Sequence, residues 1–91
     1  MPSIRVVVTG RVQGVGFRAY AAAAALRHGL DGEAWNRPDG AVQIQLGACD
    51  ETTLESFLED LQKGPGIVRD LRWEACSTDV QPGFRVVSGG T

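Results

Sequence analysis

Residues 41–61 read AVQIQLGACDETTLESFLEDL, and the repeat of the apolar positions changes partway along. In the first part Val42, Ile44 and Leu46 alternate with Gln43 and Gln45. A period of two puts the apolar set on one face of a strand over 41–46, predicting a sheet with one face buried and the other polar or solvated. In the second part Leu54, Phe57, Leu58 and Leu61 fall at i, i+3, i+4 and i+7, the stripe of an amphipathic helix. Thr52 with Glu55 reads as a capping box at its start, and Gly64-Pro65-Gly66 as its stop. Glu51, Glu55, Glu59 and Asp60 are expected on the solvated side of this helix.

On the N-terminal side, Pro38-Asp39-Gly40 joins this strand to another near Glu33 to Arg37, with Asp-Gly supplying the positive φ of a hairpin turn. Ile4 to Thr9 (IRVVVT) is β-branched apart from Arg5 and reads as a buried first strand bounded by Gly10. From Phe17 to about His28 the chain is Ala-rich, with Phe17, Tyr20, Ala21 and Ala24 at helical spacing and Gly29 as a left-handed C-cap. The alanines from Ala21 to Ala25 suit close approach to a sheet, although helix propensity alone accounts for them. On the C-terminal side, Val68 to Ser77 gives a fourth strand and Phe84 to Val87 a short fifth. The order strand, helix, strand, strand, helix, strand predicts an α+β class, ferredoxin-like split βαβ sandwich. The expectation is an antiparallel sheet with two helices on one face and a short C-terminal strand, residues 1–91 forming one domain.

Composition narrows the function. The chain has 91 residues, 43% of them hydrophobic, enough for one core without a metal staple. Nine Lys and Arg against eleven Asp and Glu leave a net charge of -2, whereas nucleic-acid binders carry a basic excess. No apolar stretch approaches the roughly 20 residues needed to span a bilayer, and the start lacks a basic segment followed by an apolar run, so a cytoplasmic protein is expected. Cys49 and Cys76 are predicted to be free thiols, because a strand between them sets a gap of roughly 9–10 Å where a bridge needs Cα atoms within about 7 Å. His28, the single histidine, gives little reason to expect a catalytic base.

The chemistry concentrates in Gly10-Arg11-Val12-Gln13-Gly14-Val15-Gly16, a loop that runs straight into the first helix. Backbone N–H groups of such a loop, together with the helix dipole, favour a bound anion. Arg18 lies in the first helical turn, where a cation opposes the dipole unless an anion sits between it and the amides. On spacing alone a second reading stands beside this one: the glycines permit tight packing and Arg18 snorkels into solvent. Gly14 to Ala19 also fits a dinucleotide pattern, but the chain is too short for a doubly wound sheet, and a P-loop's Gly-Lys-Ser/Thr ending is missing.

The run Gly10-Arg11-Val12-Gln13-Gly14-Val15-Gly16-Phe17-Arg18 resembles the Gly-x-Val-Gln-Gly-Val-x-Phe-Arg signature of the acylphosphatase family. The likeness continues through Gly29-Leu30-x-Gly32, Asn36-Arg37-Pro38-Asp39-Gly40-x-Val42, Lys63-Gly64-Pro65 and Phe84-Arg85-Val86. The resemblance implies hydrolysis of a small-molecule acyl phosphate to a carboxylate and inorganic phosphate, with no metal and no cofactor. It implies that the amides of Gln13, Gly14, Val15, Gly16 and Phe17 cradle the phosphate, that Arg18 grips it, and that Asn36 orients the hydrolytic water. A monomer that binds phosphate or another anion in this loop, and neither nucleic acid nor membrane, is the corresponding expectation. One departure stands out: where the family has an aromatic after Gly32 and a polar residue two further on, this chain has Glu33 and Trp35. Their exchange is expected to alter the pocket rim or substrate preference.

Two other functions compete. Acylphosphatase-like domains also stand at the front of larger hydrogenase-maturation proteins, and a non-catalytic anion-binding module of that kind would bind phosphate without turnover; a 91-residue chain weighs against the larger architecture. A ferredoxin-like RNA binder would need aromatic and basic residues interleaved on the open-face strands. The first and third strands supply no aromatics, and Trp35 and Trp73 read as core or rim residues.

Overall fold

The computed structural model describes residues 3–87. The elements follow in the order β1 (Ser3–Arg11), α1 (Phe17–Arg27), β2 (Gly32–Asn36), β3 (Val42–Leu46), α2 (Glu51–Gln62), β4 (Ile67–Cys76) and β5 (Phe84–Val87). They build one sheet in the order β4-β1-β3-β2-β5. The first four strands are antiparallel neighbours, as the split βαβ pattern requires. β5 adds to the far edge parallel to β2, so the sheet is mixed rather than wholly antiparallel. Parallel pairing follows from the connection: 77–83 runs from the β4 edge to the β2 edge, where Gly83 N–H donates to Asp31 Oδ1 (2.8 Å) and Gly32 N–H donates to the Gly83 carbonyl (2.9 Å).

Register and alternation explain the core. Val6 and Ala34 both lie opposite Ile44, and Val8 and Asn36 lie opposite Val42, so these side chains share one face. That face is covered by Phe17, Ala21, Ala24 and Ala25 of α1 and by Leu54, Phe57 and Leu61 of α2, all buried. Each fully buried large apolar side chain contributes about 1.5–3 kcal/mol, which is where most of the stability resides. The small alanines let α1 sit close to the sheet, while the larger leucines and Phe57 of α2 fill the other half of the layer.

Several sequence expectations are corrected. Helix α2 begins two residues earlier than the Thr52–Glu55 pair suggests: Asp50 is its N-cap, and its Oδ1 accepts from Thr53 N–H at 2.7 Å. Asp60 is not part of a solvated acidic face; it turns to α1, accepting from Arg27 (3.2 Å) and meeting His28 Nε2 (2.7 Å). Tyr20 Oη donates to the carbonyl of the same Asp60 at 2.7 Å, joining the two helices again. Gln45, expected on the polar face, is buried, its Nε2 within reach of Ser3 Oγ, the Ile4 carbonyl and Cys76 Sγ. Trp73 is not in the core: it sits 51% exposed on the edge strand β4. In the β2–β3 turn only Gly40 has positive φ, while Asp39 instead accepts from Ala41 N–H through Oδ1 (3.1 Å). Cys49 and Cys76 are both free thiols, as predicted.

Candidate active site

Val12 is buried at the end of β1 and anchors a loop whose residues 14–16 stand exposed. Gly14 and Gly16 have φ of 75° and 81°, while no other residue type in the described chain has positive φ. Backbone sign therefore alternates from Gln13 to Phe17. Such alternation turns successive N–H groups towards one concavity, the geometry that binds anions. Side chains at Gly14 and Gly16 would meet no neighbouring atoms, so the constraint there is conformational and not spatial.

Gly16 is also the N-cap of α1, and no side chain caps this end. The first intrahelical bond is Tyr20 N–H to the Gly16 carbonyl (3.0 Å), which leaves the amides of Phe17, Arg18 and Ala19 without intrahelical partners. The first turn carries no acidic residue. Its positive dipole end is thus uncompensated by the protein's own side chains.

Around this helix end lies a cleft of about 150 Å³ lined by Val12, Gly14, Gly16, Phe17, Arg18, Ala19, Asn36 and Val86. Three elements meet there. The loop and α1 supply the amides and Arg18, β2 brings Asn36 to its last position, and β5 closes the far side with Val86. Arg18 Nη1 donates to the Val87 carbonyl (2.9 Å), which fixes the guanidinium while leaving further donors for a ligand. Among the described residues no carboxylate forms a salt bridge with Arg18. Asn36 Oδ1 is buried without a hydrogen-bond partner. Leaving an acceptor so costs about 1–3 kcal/mol unless a donor reaches it.

The structure therefore gathers Gly14, Gly16, Phe17, Arg18 and Asn36 around one cleft. The side chains of Gln13 and Val15 do not line it: Gln13 reaches to the β2–β3 turn and Val15 is 41% exposed. Val12, Ala19 and Val86 line it without having been singled out in the sequence. For Ala19 the signal was its place in the helix's first turn; Val12 and Val86 stand in stretches that resemble the family, but nothing local places Val86 beside the loop, since it arrives through the long-range pairing of β5 with β2. The Glu33/Trp35 exchange does not touch the cleft rim. Both residues pair with the glutamines of β3, on the sheet face opposite to Asn36.

A larger hollow of about 310 Å³ lies on that open face, lined in part by Arg5, Arg37 and Arg72. Each of these arginines is tied to a carboxylate: Arg5 to Glu74 (3.0 Å), Arg37 to Asp39 (2.8 Å) and Arg72 to Asp70 (3.3 Å). Its arginines are thus paired within the protein, although Arg5 Nε is buried without a partner, whereas Arg18 in the smaller cleft has no carboxylate partner among the described residues. Among the described residues no helix is long and apolar enough to cross a membrane.

Comparison with known proteins agrees with this geometry. The acylphosphatase family model matches residues 4–86. An acylphosphatase of Thermus thermophilus is 48% identical over 69 residues, covering 76% of this chain and 77% of the relative. One of Geobacillus thermodenitrificans is 34% identical over 93 residues, covering 99% and 98%. The crystal structure of acylphosphatase from Bacillus subtilis superposes with a TM-score of 0.86 at 36% identity, covering 96% of this chain and 99% of that one. With a ferredoxin-like sheet, an uncapped helix end opening on a cleft and this likeness along nearly its whole length, the chain belongs to the acylphosphatase family and is a hydrolase acting on acyl phosphates.

Proposed function

We propose that the cleft at the α1 N-terminus binds the phosphoryl group of an acyl phosphate and that water attacks it there directly, without a metal. The amides of Gln13 to Phe17 and the guanidinium of Arg18 hold the three equatorial oxygens, which carry the charge of the transition state. Asn36 accepts from the attacking water and aims it at phosphorus. The P–O bond to the acyl group breaks, the carboxylate leaves with the bonding electrons, and the water's proton departs with the phosphate. A carboxylate is a good leaving group, so positioning contributes more here than a strong base would.

The observation that carries this reading is the buried, unpartnered Asn36 Oδ1 beside an uncapped helix N-terminus and Arg18. The remaining particulars belong to the same proposal: a cytoplasmic monomer, residues 1–91 as one domain, phosphate or another anion in the loop, and neither nucleic acid nor membrane as partner. Benzoyl phosphate hydrolysis with EDTA present tests it. The expected result is rapid, EDTA-insensitive turnover that falls by about 100-fold or more in Asn36→Ala. An unchanged rate in Asn36→Ala overturns the role of Asn36. Loss of wild-type turnover on adding EDTA overturns metal independence, and phosphate binding with background-level hydrolysis would indicate an anion-binding module instead.

A further inference from the structure

Gln13 is the second residue of the loop beyond β1, and its side chain leaves the cleft altogether. Its Nε2 donates to the carbonyl of Arg37 at 2.7 Å and to that of Ala41 at 3.0 Å. Two carbonyl acceptors on one side-chain nitrogen require the amide NH2, so the orientation of this amide follows from its surroundings. The two carbonyls stand on opposite arms of the β2–β3 turn. Arg37 follows Asn36 directly, and Ala41 precedes Val42, the residue paired with Asn36. The arms are themselves closed by Arg37 N–H to the Ala41 carbonyl (2.8 Å) and Gly40 N–H to the Arg37 carbonyl (3.1 Å). Gln13 thus grasps the base of the turn one position beyond the rung that carries Asn36.

From this geometry we infer that Gln13 is a positioning residue, a clamp that sets the distance between the phosphate loop and Asn36. The inference rests on the proposed role of Asn36. Among the described residues, the Gln13 bonds are the only side-chain hydrogen bonds from residues 12–16 to the hairpin. Loop and hairpin are far apart in sequence; β1, which leads into the loop, pairs with β3, but β2, which carries Asn36, lies one strand further on. Without the clamp, the loop amides and Asn36 would each keep their own local structure while the spacing between them varied. The chemistry of the residue is restrictive. Asparagine is one methylene short of both carbonyls, glutamate would set a carboxylate oxygen against them, and methionine matches the length without a donor.

The test compares Gln13→Met, Gln13→Asn and Asn36→Ala with wild type, reading kcat, the inhibition constant of inorganic phosphate and the melting temperature. A clamp acting through Asn36 predicts that kcat falls about 10- to 100-fold in Gln13→Met, since misplacement by an ångström costs on this order. Phosphate inhibition should stay within about threefold of wild type, because the loop amides and Arg18 are intact in the folded variant. Gln13→Asn should show the same split, which keeps the test decisive if Gln13→Met does not fold. Wild-type kcat in either folded variant overturns the clamp. So does an equal loss of kcat and phosphate affinity, which would mean that Gln13 merely shapes the loop. If Asn36→Ala retains full turnover, the Asn36 reading itself fails; if only the Gln13 variants do, that reading stands and the clamp alone falls.

Discussion

The two helices begin in opposite ways. Helix α2 starts at Asp50, whose carboxylate accepts from Thr53 N–H, and Glu51 follows in its first turn, so orphan donors and dipole are both answered from within. Helix α1 starts at a left-handed glycine with no side-chain cap, no acid in its first turn and a cation, Arg18, one residue into the helix. By the rules that stabilise helices α1 is poorly designed, and α2 shows that the same chain can follow those rules. Under the proposed function, the difference lies where a ligand's negative charge would sit. The groups that a cap would satisfy at α1 are the ones presented to the cleft, and the stability forgone there is offset by the buried alanines and Phe17 further along.

Breaking the α1 side of this contrast should have the largest effect. Arg18→Lys keeps the charge but loses the planar fork that can meet both the Val87 carbonyl and a phosphate oxygen. Its kcat/KM is expected to drop about 10²- to 10³-fold, and that of Arg18→Ala at least as far, with cooperative thermal unfolding retained. Benzoyl phosphate kinetics beside a melting curve decide this, and near-normal turnover in either variant would remove Arg18 from the mechanism. Ala19→Glu sharpens the contrast by giving α1 what α2 has. Ala19 is exposed in the first turn and lines the cleft, so the acid should raise the melting temperature by about 2–5 °C. The same charge should weaken phosphate inhibition about tenfold or more, because it occupies the field meant for the anion. A variant both more stable and equally active would show that the uncapped end serves no ligand.

Most of the fold was legible because it rests on local periodicity: the two-residue alternation of β3 and the helical stripe from Leu54 to Leu61 each identify an element and the face it buries. That the loop glycines and Arg18 line one cleft was legible because the family resemblance and the loop's own physics point to the same positions, whereas Asn36 was reached through the resemblance alone. What the sequence hid depends on partners distant along the chain. β5 pairs with β2 only after 77–83 has crossed from one sheet edge to the other, so neither the parallel register nor Val86 in the cleft has a local signal. Gln45 reads as a surface residue by alternation, yet Ser3 and Cys76 close over it. Burial opposes ionisation of the Cys76 thiol, but hydrogen bonds from Ser3, Gln45 and Thr78 outweigh it and bring the pKa down to about 7. Trp35 was expected at the pocket rim because its strand was right; the face it occupies follows from pairing with Gln43.

The misread cap yields an effect on stability and none on turnover. Thr52 with Glu55 fits the capping-box pattern as well as Asp50 with Thr53 fits a simple cap, and only the start of helical geometry at Glu51 separates them. Asp50→Ala removes the acceptor for Thr53 N–H and should lower the melting temperature by about 5 °C while leaving kcat unchanged, since α2 starts away from the cleft residues. Thr52→Ala should change neither. The hydrogen bond from Thr53 holds the Asp50 carboxyl below its ordinary pKa, so its contribution is stability present above the unfolded value and lost as pH falls through the lower folded one. The gap in melting temperature between wild type and Asp50→Ala should therefore be full at neutral pH, shrink below about pH 4 and close in stronger acid. Asp50→Asn, a neutral cap, should lie closer to wild type at neutral pH, and its own margin over Asp50→Ala should not depend on pH. A gap that persists unchanged into strong acid would assign the stabilisation to something other than the ionised cap, and the contrast between the two helix ends would lose its electrostatic half.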